Sequence, residues 1–218
     1  MNSVGGACVV LVHGLGRTHR SMWAVEGSLR LAGYRVINWR YPSTRAPITE
    51  LALTLDRELT TRLRALDTPI HFVSHSMGGI VLRRYLADVS LPNLGRVVML
   101  APPNQGSEVV DRLRGWWIFR RATGPAGEEL RTGAGGPEEL PGIPAELGII
   151  AGRRPANPLF SRWIEGENDG KVGVARAALP GMSDFLVVDY GHTWLAWQPA
   201  VIAQVKAFLA EGKFRAGG

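Results

Sequence analysis

Six short apolar runs punctuate the chain: ACVVLV (7–12), YRVINW (34–39), IHFVS (70–74), RVVMLA (96–101), LGIIA (147–151) and FLVVD (185–189). They are near-continuous rather than alternating, the pattern of strands covered on both faces of a parallel sheet. Between them the periodicity is helical. SMWAVEGSLRLAG (21–33) ends on Gly33, a residue suited to a C-cap. ITELALTLDRELTTRLRAL (48–66) repeats Leu51, Leu55, Leu59 and Leu63 at intervals of four, and PAVIAQVKAFLAEG (199–212) carries Pro199 near its first turn. This alternation predicts an α/β fold with a mainly parallel central sheet of about six strands flanked by helices.

The rhythm breaks once. About 45 residues separate the fourth run from the fifth, far more than an ordinary strand-to-helix connection needs. We assign 105–146 as a cap or lid insertion. Within it SEVVDRLRGWWIFRRA (107–122) is expected to form one amphipathic helix, and TGPAGEELRTGAGGPEELPGIP (123–144) a Gly- and Pro-rich excursion. The whole of 1–218 is expected to be one domain, with 212–218 a flexible tail.

Composition narrows the partners. The 45% hydrophobic and 20% charged shares are those of a globular chain. The net charge of +6 is spread along the sequence, 22 of the 25 cationic residues being arginine, and the pairs Arg83-Arg84, Arg120-Arg121 and Arg153-Arg154 stand apart. A nucleic-acid interface concentrates charge on one face or arm, so these arginines are expected to be solvated on helix surfaces, and no nucleic-acid partner is expected. Cys8 is alone, which excludes an intrachain disulfide and a zinc framework, and its apolar setting suits a small buried residue. His71 and His75 have zinc-helix spacing but fall on a strand and its turn, so no metal is expected. The first residues lack the marks of a secretory signal, and no run approaches the roughly 20 apolar residues of a membrane span; a cytoplasmic protein is expected.

The candidate chemistry lies in SHSMGG (74–79), where a strand passes into a helix at Ser76. Such a junction can lift a hydroxyl above a sheet, and the positions flanking it must be small. Gly78 meets this requirement; Ser74 replaces the first glycine of G-x-S-x-G. Taken alone the motif fits a helix N-cap serine better than a nucleophile. A nucleophilic serine needs a base, and the base needs an orienting acid. On an α/β sheet these follow in the order acid, then histidine. His192 is the only histidine after Ser76. For the acid, Asp169 in GENDGKV sits in a polar turn after the fifth run; Asp184 precedes the last strand, at the wrong end of the sheet, and Asp189 is only three residues from His192. An ordinary β-turn is the competing reading of Asn168-Asp169-Gly170. An oxyanion hole needs two backbone N–H groups, expected from Met77, directly after the serine, and from Leu15 in the loop LVHGLG (11–16), with His13 buttressing that loop.

LVHGLG, HFVSHSMGG, VVMLAPPNQGSE, NDGKV and GHT, in this order, resemble the compact bacterial lipase/esterase group of the α/β-hydrolase superfamily, over nearly the whole chain. The resemblance implies Ser76 as nucleophile, His192 as general base and acid, Asp169 as orienting carboxylate, Leu15 and Met77 as oxyanion hole, and hydrolysis of carboxylic esters through an acyl-enzyme without a cofactor. The same residues would serve acyl transfer or thioester cleavage, and a non-catalytic hydrolase-fold binding protein is the reading from another class. Asn104 and Gln105 are expected to order the loop after the fourth strand. In WWIF (116–119) four apolar residues in succession exceed what one helix face can bury. Trp116, Trp117 and, past His192, Trp194 are therefore candidates to bind the substrate, a small-molecule or lipid ester, with membrane contact through the cap an open alternative to core packing.

Overall fold

The computed structural model describes residues 6–155 and 158–216. Six strands, β1 (Cys8–Val12), β2 (Arg35–Asn38), β3 (Ile70–His75), β4 (Leu94–Leu100), β5 (Leu147–Gly152) and β6 (Asp184–Val188), form one parallel sheet in the order β2-β1-β3-β4-β5-β6. Alternation of side chains across a strand explains why the runs are apolar at nearly every position. Val10, Val12, Phe72, Val97 and Met99 enter the core on one face, while Val9, Leu11, Val73, Val98 and Leu100 enter that on the other.

Nine α-helices are assigned among the described residues: α1 (Trp23–Leu31), α2 (Ile48–Leu55), α3 (Thr61–Arg64), α4 (Met77–Asp88), α5 (Glu108–Leu113), α6 (Trp117–Glu128), α7 (Pro158–Ser161), α8 (Val174–Ala177) and α9 (Pro199–Glu211). Residues of α2, α3 and α4 pack into the first core, and those of α1 and α9 into the second. Helix α2 runs into α3 through a single π-helical stretch, Asp56–Thr60. A spacing of four overshoots a 3.6-residue turn by about 40° each time, and the wider π turn brings the row back into phase. Leu51, Leu55, Leu59 and Leu63 are accordingly all buried. Gly33 and Gly212 follow α1 and α9 at φ of 90° and 76°, conformations that suit glycine.

Segment 105–146 departs from one long helix. The chain breaks at Arg114–Trp116, where Trp116 is extended (φ −88°, ψ 126°), so α5 and α6 are separate. Helix α6 then kinks at Gly124 (φ 64°, ψ −169°) before Pro125. An added Cβ at Gly124 would come within 1.7 Å of the Thr44 carbonyl oxygen, so this segment sits directly on the loop after β2. The start of α2, which has no side-chain cap of its own, is closed from the same segment by Glu129, whose carboxylate oxygens accept the Ile48 N–H at 3.3 and 3.2 Å.

Arg83 corrects the expectation of a solvated helix arginine. It is 1% exposed and donates to the carbonyls of Pro141 (3.1 Å), Asn104 (3.0 Å) and Leu140, tying α4 to the far end of the insertion. Burial without a carboxylate partner lowers its pKa to about 10. The tail is also anchored: the Phe214 N–H donates to Asp184 Oδ2 at 2.7 Å and the Arg215 N–H to Gln204 Oε1 at 2.8 Å. These ties hold the part of the expected tail that reaches Arg215; 217–218, and the start of the chain before Gly6, lie outside the described residues. No helix among the described residues is long and apolar enough to cross a membrane.

Candidate active site

Ser76 stands between β3 and α4 with φ 55° and ψ −130°, one of two non-glycine residues at positive φ among the described residues. Strain of this kind is held by its surroundings. The Ser76 N–H donates to the Leu100 carbonyl at 2.8 Å, and the Gly79 N–H to the Ser76 carbonyl at 2.9 Å. The turn brings α4 against the end of β1, and a Cβ at Gly78 would lie 2.4 Å from the Val12 carbonyl oxygen and 2.6 Å from that of His13. Ser74, in the motif's first-glycine position, is fully buried beside Gly79, its hydroxyl without a hydrogen-bond partner among the described residues. The turn therefore forms with serine there, at the cost of one unsatisfied hydroxyl.

His192 and Asp169 arrive from loops that follow β6 and β5. His192 Nε2 lies 2.9 Å from Ser76 Oγ, and His192 Nδ1 lies 2.7 Å from Asp169 Oδ2. Asp169 is 2% exposed and its other oxygen, Oδ1, accepts the N–H groups of Lys171 (2.9 Å) and Val172 (2.8 Å), so the carboxylate is fixed with Oδ2 toward the ring. Asn168 shapes this turn by accepting the Gly170 N–H at 3.0 Å, and the His192 N–H donates to the Asp169 carbonyl at 3.1 Å. Gly152 at the end of β5 leaves room for the loop, since a Cβ there would meet the Tyr190 carbonyl oxygen at 2.4 Å. Asp189 is instead drawn outward by Arg153 at 2.5 Å, and Asp184 accepts the Phe214 N–H.

Two histidines support the site. His75 Nε2–H donates to the His192 carbonyl at 2.9 Å, and burial first, with the nearby His192 ring second, holds its pKa well below the ordinary value. His13 stacks on Tyr41, ring centres 4.2 Å apart, and its carbonyl accepts the Tyr41 hydroxyl at 2.5 Å, bracing the loop that carries Leu15. Burial lowers the His13 pKa to about 4 and keeps it neutral. His71 takes no part, its Nδ1 accepting the Arg96 N–H at 2.7 Å.

A cavity of about 310 Å³ opens onto Ser76. Its walls include Val109, Val110, Leu113, Phe119, Leu130 and Phe160, and its rim includes Leu15, Arg17, Lys171 and His192. Leu15 thus borders the cavity, and Met77, the first residue of α4, is buried beside Ser76 with an N–H that has no intrahelical acceptor. Trp116 and Trp117 do not line it. They are 62% and 71% exposed, because the break before α6 sends them to solvent while Leu113 and Phe119 turn inward. Trp194 lies instead in an adjoining groove with Trp197. Asn104 and Gln105 order the loop after β4: Asn104 Nδ2 donates to the Ala177 carbonyl at 2.8 Å, and Gln105 Nε2 to Ala175 and Ala178 at 3.2 Å each. Sequence reasoning missed the walls from α5 and the charged rim; SEVV just after β4 was the available signal for the first.

A serine on a strained strand-to-helix turn at the C-terminal edge of a parallel sheet, with an acid and then a histidine from later loops, has the layout of an α/β hydrolase. The chain belongs to the alpha/beta hydrolase family, whose model matches residues 9–212. No curated protein matches it by sequence. Among solved structures it is similar to the Bacillus licheniformis lipase BlEst2 in mature form (19% identity, TM-score 0.75, covering 94% of this chain and 91% of that one). It is also similar to the metagenomic carboxyl esterase MGS0156 (17%, TM-score 0.70, 88% and 66%) and to the type II thioesterase BorB of the borrelidin biosynthetic cluster (17%, TM-score 0.59, 94% and 92%).

Proposed function

We propose that the protein is a serine hydrolase cleaving carboxylic esters through an acyl-enzyme. The observation that carries this reading is the chain of short contacts from Ser76 Oγ to His192 Nε2 (2.9 Å) and from His192 Nδ1 to Asp169 Oδ2 (2.7 Å), opening onto a largely apolar cavity. In the first step Ser76 Oγ attacks the acyl carbon and its proton passes to His192 Nε2. Asp169 holds the ring in the tautomer that accepts there and stabilises the imidazolium. The N–H groups of Leu15 and Met77 receive the oxyanion, the latter with the favourable end of the α4 dipole behind it. His192 then protonates the departing alcohol, and water repeats the sequence to release the acid. The apolar walls accommodate the acyl group.

Thioester cleavage and acyl transfer use the same residues and differ in the leaving group or the acceptor. The exposed Trp116, Trp117 and Ile118 stand beside the cavity wall and are the surface through which a lipid ester layer would be met. The test is hydrolysis of p-nitrophenyl esters of increasing chain length beside Ser76→Ala, with fluorophosphonate labelling of Ser76. Loss of turnover by about 10⁴-fold or more in the variant is expected. Activity that survives the substitution would overturn the mechanism.

A further inference from the structure

The cavity at Ser76 is apolar in its depth and cationic at its rim. Among the described residues its only charged lining residues are Arg17 and Lys171, and no carboxylate lines it. Neither cation has an ion-pair partner among the described residues, unlike Arg153 or Arg176, which are matched with Asp189 and Glu108. Arg17 is close enough for its charge to act on both Lys171 and His75. Lys171 is solvent-exposed yet crowded by protein, and that crowding first, then Arg17, depresses its pKa, with the Asp169 carboxylate acting more weakly in the opposite direction.

The same cationic character continues outward. Arg17 also lines the groove that adjoins the cavity, together with Arg20, Thr18, Ser21, Thr193 and Trp194, again without a carboxylate among the described residues. Arg20 lies over the Trp23 ring at 5.5 Å and has no ion pair among the described residues. Two unpaired like charges at one rim repel each other, an arrangement that an anion relieves. Guanidinium and ammonium groups are suited to phosphate.

We propose that the substrate's leaving group carries a phosphate, held by Arg17 and Lys171 at the cavity mouth and by Arg20 in the adjoining groove, while the acyl chain occupies the apolar depth. This rests on the serine-hydrolase reading. The bond broken is the acyl carbon–oxygen or carbon–sulfur bond; the leaving group departs with its phosphate intact and takes a proton from His192, and water supplies the hydroxyl of the released acid. Such a leaving group could belong to a phosphoglyceride or to a phosphopantetheine thioester, and the rim would recognise the phosphate of either.

The experiment compares kcat/KM for monolauroylglycerol, its phosphate-bearing counterpart lauroyl lysophosphatidate, and lauroyl-coenzyme A. Each ratio of charged to neutral substrate cancels losses due to folding. At low ionic strength at least one ratio is expected to exceed about tenfold, to shrink as salt is raised, and to fall by about tenfold in Arg17→Gln/Lys171→Gln, with Arg20→Gln intermediate. Whichever charged substrate is favoured identifies the source. A preference for the neutral ester, or a ratio that the double variant leaves intact, overturns the proposal. Fluorophosphonate labelling of Ser76 without cleavage of any of the three overturns it too, while leaving the hydrolase reading in place. If Ser76 is neither labelled nor needed, that reading falls and takes this one with it.

Discussion

The floor of the cavity and its cap bound the same space of about 310 Å³ but are held in different ways. The floor is made where β1, β3 and β4 end and α4 begins. There Gly78 has no room for a methyl group, Ser76 is locked at positive φ, and β1 and β3 beneath are buried along their whole length. The cap is held by long-range polar ties, those of Arg83, Glu129, Ser107 and Glu108 among them, by Val110, Ala126 and Leu130, which join the first core, and by the close seat of Gly124 over Thr44, while Trp116, Trp117 and Ile118 face solvent. Positions at the floor tolerate almost no change of shape. Those of the cap divide sharply between a few that seat it and many that bear little on the fold.

Substitutions can break this contrast. The largest effect is expected at Asp169→Asn, which keeps the shape of the side chain but alters what His192 Nδ1 meets: kcat should drop by about 10³–10⁴-fold with little change in melting temperature. An activity within tenfold of wild type would remove Asp169 from the relay. Next comes Gly78→Ala, expected to destabilise by about 3 kcal/mol because both obstructing atoms are backbone carbonyls. Urea titration checks this, and a loss below 1 kcal/mol would show that the floor yields more than its packing implies.

Acid should act on the floor before the cap. His13, with its pKa lowered to about 4, must charge on unfolding below the ordinary histidine pKa, so the unfolded chain binds the extra proton. Its contribution is fully present above about pH 6.5 and is lost as pH falls toward 4, and His75, shifted in the same direction, adds to the loss. Stability measured from pH 7 to 4 should fall accordingly, and a flat profile would contradict the burial of these two rings as neutral groups.

In the cap, Gly124→Ala forces both a left-handed conformation and a clash with Thr44, at an expected cost of about 1–3 kcal/mol. Protection from amide exchange should fall in α6 and in residues 43–46 before it falls in the sheet. Smallest of all, Trp117→Ala should alter stability by no more than about 0.5 kcal/mol and leave the acyl-chain preference alone, whereas Phe119→Ala should lengthen the preferred chain. A shift of preference in Trp117→Ala and none in Phe119→Ala would reverse the roles assigned to the two sides of α6.

Much of this was legible in the residues themselves. Each of the six apolar runs became a strand of the one parallel sheet, because a strand covered on both faces is apolar at nearly every position, a pattern clearest in the central strands and looser in the edge strands β2 and β6. The order of Ser76, Asp169 and His192, and the small residues around Ser76, could likewise be read along the chain, since that turn is governed by its immediate neighbours. Arg83 and the Trp116–Phe119 stretch could not. Whether an arginine is solvated or buried depends on whether distant carbonyls such as those of Leu140 and Pro141 come to meet it. Which of four adjacent apolar residues turns inward depends on where the helix breaks and on what the cap rests against. The juxtaposition of Arg17 with Lys171, 154 positions apart, has the same origin. Local sterics and periodicity operate within a few residues and leave their mark on the sequence, whereas charge placement and cavity shape arise between segments that meet only when the sheet is assembled.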